Sequence, residues 1–359
     1  MVFSRSGFVK SAISAVCVSA MSGHGAVKEG KIKAVLLHLG RNMWCDWSRP
    51  GEPTSLRPGA GAPGTKLRVD EKLWRRLVVR MAELGINTLV IDIGEAVRLP
   101  SHPELAVQDA WSADKMRSEV RRLRTLGIEA IPKLNFSTGH NGWMGEYRRM
   151  ISTKQYYSFC DEVIGDAFEI FDYPHYFHIG CDEETYVAQA EWNKCEYTCV
   201  RGGELWWNDL IRLVRRVESL GCRAWMWSDY GWDHPEFVVR CPKSVLQSNW
   251  YYDDAYEKFD DMAPWGGRRL RFFRELDKAG FDQVPCGTNW VGFKRRELKV
   301  GADDVMSSLM MYCRGAISPG RLKGFMMAPW AACDTDKNFV KCMSGIELLD
   351  RALQSNYPN

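Results

Sequence analysis

No stretch of this 359-residue chain approaches the roughly 20 consecutive apolar residues of a membrane-spanning helix, so the sequence offers no integral membrane segment. It also lacks an excess of one charge. Lys and Arg number 48 against 45 Asp and Glu, a formal net charge of +3, and the basic residues are dispersed, so nucleic acid has no footprint here. No glycine-rich phosphate loop follows the first apolar run, which leaves nucleotide binding with little support. Neither a phosphoryl-transfer apparatus nor a Ser-His-Asp set is spelled out, and low-complexity tracts are absent. No second Cys/His pair stands at finger-like spacing from Cys195 and Cys199, so zinc is the weaker reading of that pair beside a disulfide in an oxidising compartment. Most of the other cysteines (Cys160, Cys181, Cys222, Cys286, Cys313) stand singly in apolar runs and read as small hydrophobes.

What is present is an ordinary globular composition, 45% hydrophobic and 26% charged, with an unusual 15 Trp. Trp143, Trp227, Trp250, Trp290 and Trp330 each follow an apolar run. Core packing accounts for some of them. Tryptophans repeated at strand ends also suit a pocket that stacks on the apolar faces of sugar rings. Residues 1–26 have the layout of an export signal, with basic residues, then SAISAVCVSAM, then small residues; a disordered amino terminus is the plainer alternative.

From residue 30 to 357 the pattern alternates. Short apolar runs at 32–38, 86–93, 128–134, 176–181, 222–228, 245–250, 283–288 and 323–330 predict strands, and amphipathic stretches such as EKLWRRLVVRMAEL predict the helices between them. Leu84-Gly85-Ile86, Leu126-Gly127-Ile128 and Leu220-Gly221-Cys222 repeat one signal, a helix C-cap glycine turning the chain into the next strand. Eight strands with helical crossovers predict a single-domain α/β (β/α)8 TIM barrel; a doubly wound open sheet is the alternative. Chemistry in a barrel belongs to the carboxyl ends of its strands. Those positions carry Arg41, Asp92, His140, Asp182 to Glu184, Asp229, the run Trp250 to Asp254, Trp290 and Trp330.

The stretch YFHIGCDEE (176–184) sets three carboxylates after a buried-looking strand. Adjacent strand residues point to opposite faces, so Asp182 and Glu183 can share a pocket only if the strand ends and the backbone turns there. An acid beside a carboxylate is what glycosidic cleavage requires: one protonates the leaving oxygen, the other stabilises the positive charge at the anomeric carbon. A metal held by His178 and the carboxylates, or a helix-start acid cluster, are the other readings. His38 reads as a core histidine, and His102 and His234, each before a proline, as solvated turn residues.

HIGCDE (178–183) resembles the His-x-Gly-Gly-Asp-Glu signature of family 20 glycoside hydrolases, the β-N-acetylhexosaminidases. Residues 85–105 are similar to that family's second-strand region, and IPKLNFSTGH (131–140) to its third-strand motif. NWYYD (249–253) resembles Pro-Trp-Tyr-Leu-Asp, and MAPW (327–330) the eighth-strand tryptophan. The resemblance implies an enzyme that removes terminal N-acetylhexosamine from a glycan with retention, without metal or cofactor. Glu183 would be the general acid and then base, and Asp182 would orient the substrate's 2-acetamido group, whose carbonyl oxygen is the nucleophile. Tyr251 would hydrogen-bond that carbonyl, Asp253 would hold ring hydroxyls, and Trp330 would form part of the sugar platform, with Trp250 a further substrate-binding candidate. His140 and His178 would support the acid, with Asp92 beside them. Arg41 and Asp229 are candidates for sugar hydroxyls. Cys181 stands where the family has glycine, adding volume beside the pair. Ala332 stands where it has a glutamate, with Asp334 next available, which opens the sugar specificity. A non-catalytic carbohydrate-binding barrel is the reading from another class. Glu184 reads as the first acid of the segment after the strand.

Overall fold

The computed structural model describes residues 30–44, 64–184, 199–252, 264–289 and 302–357. The expected signal at 1–26 lies outside them, as do Cys195, Asp253, Asp254 and Trp290. Eight parallel strands succeed one another: β1 Ile32–His38, β2 Thr88–Asp92, β3 Glu129–Lys133, β4 Tyr176–His178, β5 Arg223–Trp227, β6 Leu246–Ser248, β7 Cys286–Gly287 and β8 Gly324–Met327. Their order in the sheet is β6-β5-β4-β3-β2-β1-β8-β7. Bridges Gln247 to Gln283 and Trp250 to Cys286 join the two ends of that order. Backbone bonds from Val284 N to Gln247 O and from Cys286 N to Asn249 O, both 2.9 Å, complete the closure, so the chain forms a (β/α)8 barrel.

The connecting helices start and stop where the sequence directs. Asp70 caps helix Glu71–Glu83 by accepting from Lys72 N and Leu73 N, and Ser112 caps helix Ala113–Thr125 through Lys115 N. Gly85, Gly127 and Gly221 follow their helices with φ of 66°, 76° and 79°, the left-handed geometry that a C-cap glycine supplies. Leu73, Trp74, Leu77, Val78 and Met81 form the buried face of the first helix, packed in the layer between helices and strands. A second, smaller core fills the barrel itself: Ala34, Leu36, Val90, Ile131, Trp225, Trp227, Leu246, Val284, Cys286, Met326 and Ala328. No helix among the described residues is long and apolar enough to cross a membrane.

Above the apolar filling lies a polar rung. His38, Asp92, Lys133 and His178 are register partners across β1 to β4, all essentially buried. Lys133 pairs with Asp92, and His38 Nδ1 lies 3.7 Å from the same carboxylate. Burial, with the nearby charges of Arg41, Lys133 and His140, holds the His38 imidazole well below its ordinary range. The core reading of His38 describes what is found. Lys133 is the rung member that a residue-by-residue reading passes over.

Candidate active site

Strand β4 ends at His178, and the chain then turns sharply. Gly180, Cys181 and Glu183 have φ of 72°, 67° and 52°. Two non-glycine residues in the left-handed region within three positions is backbone strain of the kind concentrated at functional sites. The turn is held by Asn135, just beyond β3. Its Oδ1 accepts from Ser137 N (3.1 Å) and Cys181 N (3.2 Å), and its Nδ2 donates to Asp182 Oδ1 at 2.7 Å.

The turn brings the two acids to one side. His140 Nε2 lies 2.9 Å from Glu183 Oε2 and 3.4 Å from Asp182 Oδ2. Burial works against charge on this imidazole, but the charges and hydrogen bonds of Asp182 and Glu183 prevail and raise it to about 10. Burial likewise opposes ionisation of Asp182, yet the charge and hydrogen bond of His140, helped by Lys133 and Asn135, hold it below the usual carboxylate range. A protonated His140 donates from Nε2 toward both acids, and the ligand atoms of the three residues lie within 4.8 Å of one another. Asp229, at the end of β5, accepts the Glu183 N–H through Oδ2 at 2.7 Å. Burial and the charge of Asp182 push Asp229 up to about 7, against the hydrogen bond it accepts. The Glu183 side chain keeps 22% of its surface exposed and that of Asp182 10%, so the pair is open to a ligand at the barrel mouth.

Several expected members stand elsewhere. His178 is fully buried, against Trp227 and Trp225 at 4.8 and 5.6 Å, and its Nδ1 accepts from Gly180 N at 3.1 Å. His178 thus lies in the buried polar rung and holds the turn that carries the acids, and it presents no ligand surface. Tyr251 is corrected. It is fully buried in the outer core, whereas Tyr252 packs against the inner core, stacked on Trp250 at 4.9 Å. Burial raises the Tyr252 phenol well above its usual range, with Trp330 and Cys286 as side-chain neighbours. Trp330, at φ 53°, sits at the end of β8 with its ring 5.5 Å from His38 and 5.8 Å from Trp227. Arg41 is half-buried, its N–H donating to Glu95 Oε1 at 2.6 Å.

The departures from the family pattern are also placed. The Cys181 thiol lies in the outer core, 3.6 Å from Ile179 O, so its bulk goes behind the turn and not beside the acids. Asp334 is engaged by Arg68 and by Asn338 Nδ2 at 2.7 Å. Glu184 is buried against Arg201 and Thr138. His102 is buried too, between Glu104 and Glu162 at 2.9 and 2.8 Å, and His234 is half-buried, stacked on Tyr230 at 3.7 Å. Sequence reasoning missed Asn135, Arg201 and Tyr252. Only for Tyr252 did the strand pattern carry a signal.

No protein-family model matches the sequence, and no curated protein matches it. Solved structures do. The Streptomyces plicatus N-acetyl-β-hexosaminidase aligns with a TM-score of 0.58 and 15% identity, over 89% of this chain and 62% of its own. The family 20 β-N-acetylhexosaminidase of Streptomyces coelicolor A3(2) gives 0.57 and 14%, over 89% and 64%. Dispersin B gives 0.52 and 16%, over 90% and 99%. This chain spans about half, 54%, of the family 20 exo-β-N-acetylglucosaminidase of Vibrio harveyi, another of its structural neighbours. At such identities the likeness is one of architecture: the chain has the (β/α)8 barrel fold that family 20 glycoside hydrolases have.

Proposed function

We propose that this protein is a family 20-like glycoside hydrolase that releases terminal N-acetylhexosamine from a glycan, with retention, using the substrate's own acetamido group as nucleophile. One observation carries the reading: Asp182 and Glu183 meet at a single buried histidine at the barrel mouth. Glu183, the more exposed, delivers a proton to the leaving oxygen. Asp182, kept ionised by His140, accepts the acetamido N–H and stabilises the positive charge that spreads over the amide as its carbonyl oxygen attacks the anomeric carbon. Water then opens the ring so formed, with Glu183 as base. Trp330, Trp250 and Tyr252 supply aromatic surface for the sugar. Export through residues 1–26 goes with a glycan outside the cell.

A different terminal sugar is the second reading. It is favoured by Ala332, which is buried, and by Asp334, whose carboxylate Arg68 and Asn338 already hold. The test compares a chromogenic N-acetylglucosaminide with the matching plain glucoside. Cleavage of the first alone, reduced at least about 10³-fold by Glu183→Gln, is expected. Efficient cleavage of the plain glucoside sinks the proposal, since that sugar carries no acetamido group.

A further inference from the structure

Glu184 follows the proposed acid directly, yet its side chain is 1% exposed and fully engaged. Arg201 donates to its two oxygens from Nε and Nη2 at 3.0 and 3.2 Å, and Thr138 donates from N and Oγ1 at 3.1 and 2.6 Å. Arg201 also donates to Asp209 Oδ2 at 2.8 Å and to Phe136 O at 2.7 Å. Asp209 in turn accepts from Ser152 Oγ and Tyr157 OH, both at 2.5 Å.

Three buried charges make a poor device for stability alone. Desolvation costs several kcal/mol per ion, and well-packed apolar residues commonly do as well. What the cluster does is geometric. Phe136 and Thr138 lie in the loop that carries His140, and Glu184 ends the turn that carries Asp182 and Glu183. Arg201 therefore ties the two halves of the active site together from behind. The halves run in contact there, since a Cβ added at Gly139 would lie 2.7 Å from Glu183 O. A shift of either loop is thus transmitted to the 2.9 Å contact between His140 and Glu183.

We infer that Arg201 is a positioning residue for the Asp182–Glu183 pair, acting through Glu184 and Thr138. The inference rests on the reading of that pair as catalytic. It is tested on the full chain with Arg201→Met, Arg201→Lys and Thr138→Val. Lysine keeps the charge but not the two-pronged donor geometry, and valine removes one hydroxyl at constant shape.

The expected kcat losses on the N-acetylglucosaminide are roughly 10²-fold for Arg201→Met, about 10-fold for Arg201→Lys and severalfold for Thr138→Val, with KM within about twofold. The second readout is the titration of His140, followed by NMR of its ring protons. It should move down in each variant as Glu183 leaves the imidazole. A merely structural Arg201 would lower the melting temperature while leaving kcat of the folded protein and the His140 titration unchanged, and that result overturns the inference. Should Arg201→Met fail to fold, the other two variants decide. Should the wild type cleave no acetamido sugar, the functional proposal fails, and the His140 titration still decides whether Arg201 positions the pair.

Discussion

Gly180 leaves no room for a side chain beside the Asn135 amide, and Gly180→Ala perturbs that packing directly. A Cβ at this position would lie 2.1 Å from Asn135 Oδ1, 2.4 Å from its Cγ and 2.8 Å from its Cα. It would also stand at φ 72°, where an L side chain costs about 1–2 kcal/mol. Asn135 cannot retreat cheaply, because it accepts from Ser137 N and Cys181 N and donates to Asp182. Crowding adds roughly 1–3 kcal/mol, and each buried partner left unsatisfied another 1–3 kcal/mol or so. With one partner lost the expected destabilisation is about 3–8 kcal/mol, a large fraction of what a domain has.

Gly85→Ala is the control. Gly85 has a similar φ of 66° but nothing within 4 Å of the added Cβ, so only the backbone cost of about 1–2 kcal/mol applies. Urea unfolding followed by circular dichroism reads both. In an Asn135→Ala background the penalty of Gly180→Ala should fall part of the way toward the control, leaving the approach to the Cα, with a coupling of about 2 kcal/mol or more. If Gly180→Ala costs no more than Gly85→Ala, Asn135 does not hold the turn and the reasoning about the site's scaffold is wrong.

Two further outcomes are expected. Asp229 has a folded pKa of about 7, above its ordinary 3.8, so its ionisation destabilises the fold as pH rises between those values; Asp229→Asn should gain roughly 2–3 kcal/mol on the wild type between pH 5 and pH 8, and equal urea midpoints for the two proteins at both pH values would remove this account. Tyr252→Phe should lower kcat/KM on the N-acetylglucosaminide by about 10-fold or more, while Tyr251→Phe should move only stability, by about 1 kcal/mol; steady-state kinetics giving the reverse order would return the role to Tyr251.

The barrel was legible because its signals are local. An apolar run bounded by polar residues, and a glycine after several of the amphipathic stretches, need no knowledge of what packs against them, and the strands fall within those runs. The turn at 180–183 was legible for a different reason. Two adjacent carboxylates cannot serve one pocket from an extended strand, so their presence implied a backbone bend. The polar scaffold was not legible. Lys133 interrupts a run read as strand and Asn135 follows it, and only the register partners Asp92 and His178, 41 and 45 residues away, make Lys133 a buried ion. Arg201 lies 17 positions beyond Glu184, and no periodicity connects them.

The two tyrosines show a signal that was present and outweighed. Alternate residues of a strand share a face. From Leu246 in the inner core, counting by two gives Ser248, Trp250 and Tyr252; Ser248 accepts from the inner Trp225 at 2.7 Å, and Trp250 and Tyr252 pack on the inner cluster. Val245 and Tyr251, of the opposite parity, are buried in the outer core. Matching NWYYD to a family motif moved the assignment by one residue, and in a strand a step of one exchanges inside for outside. Short motifs align residue types, whereas the side of the sheet on which a residue lies is set by parity from the strand's own core positions. Parity therefore takes precedence where the chain stays extended, as at Trp250 to Tyr252, and gives way where it turns, as at Glu183.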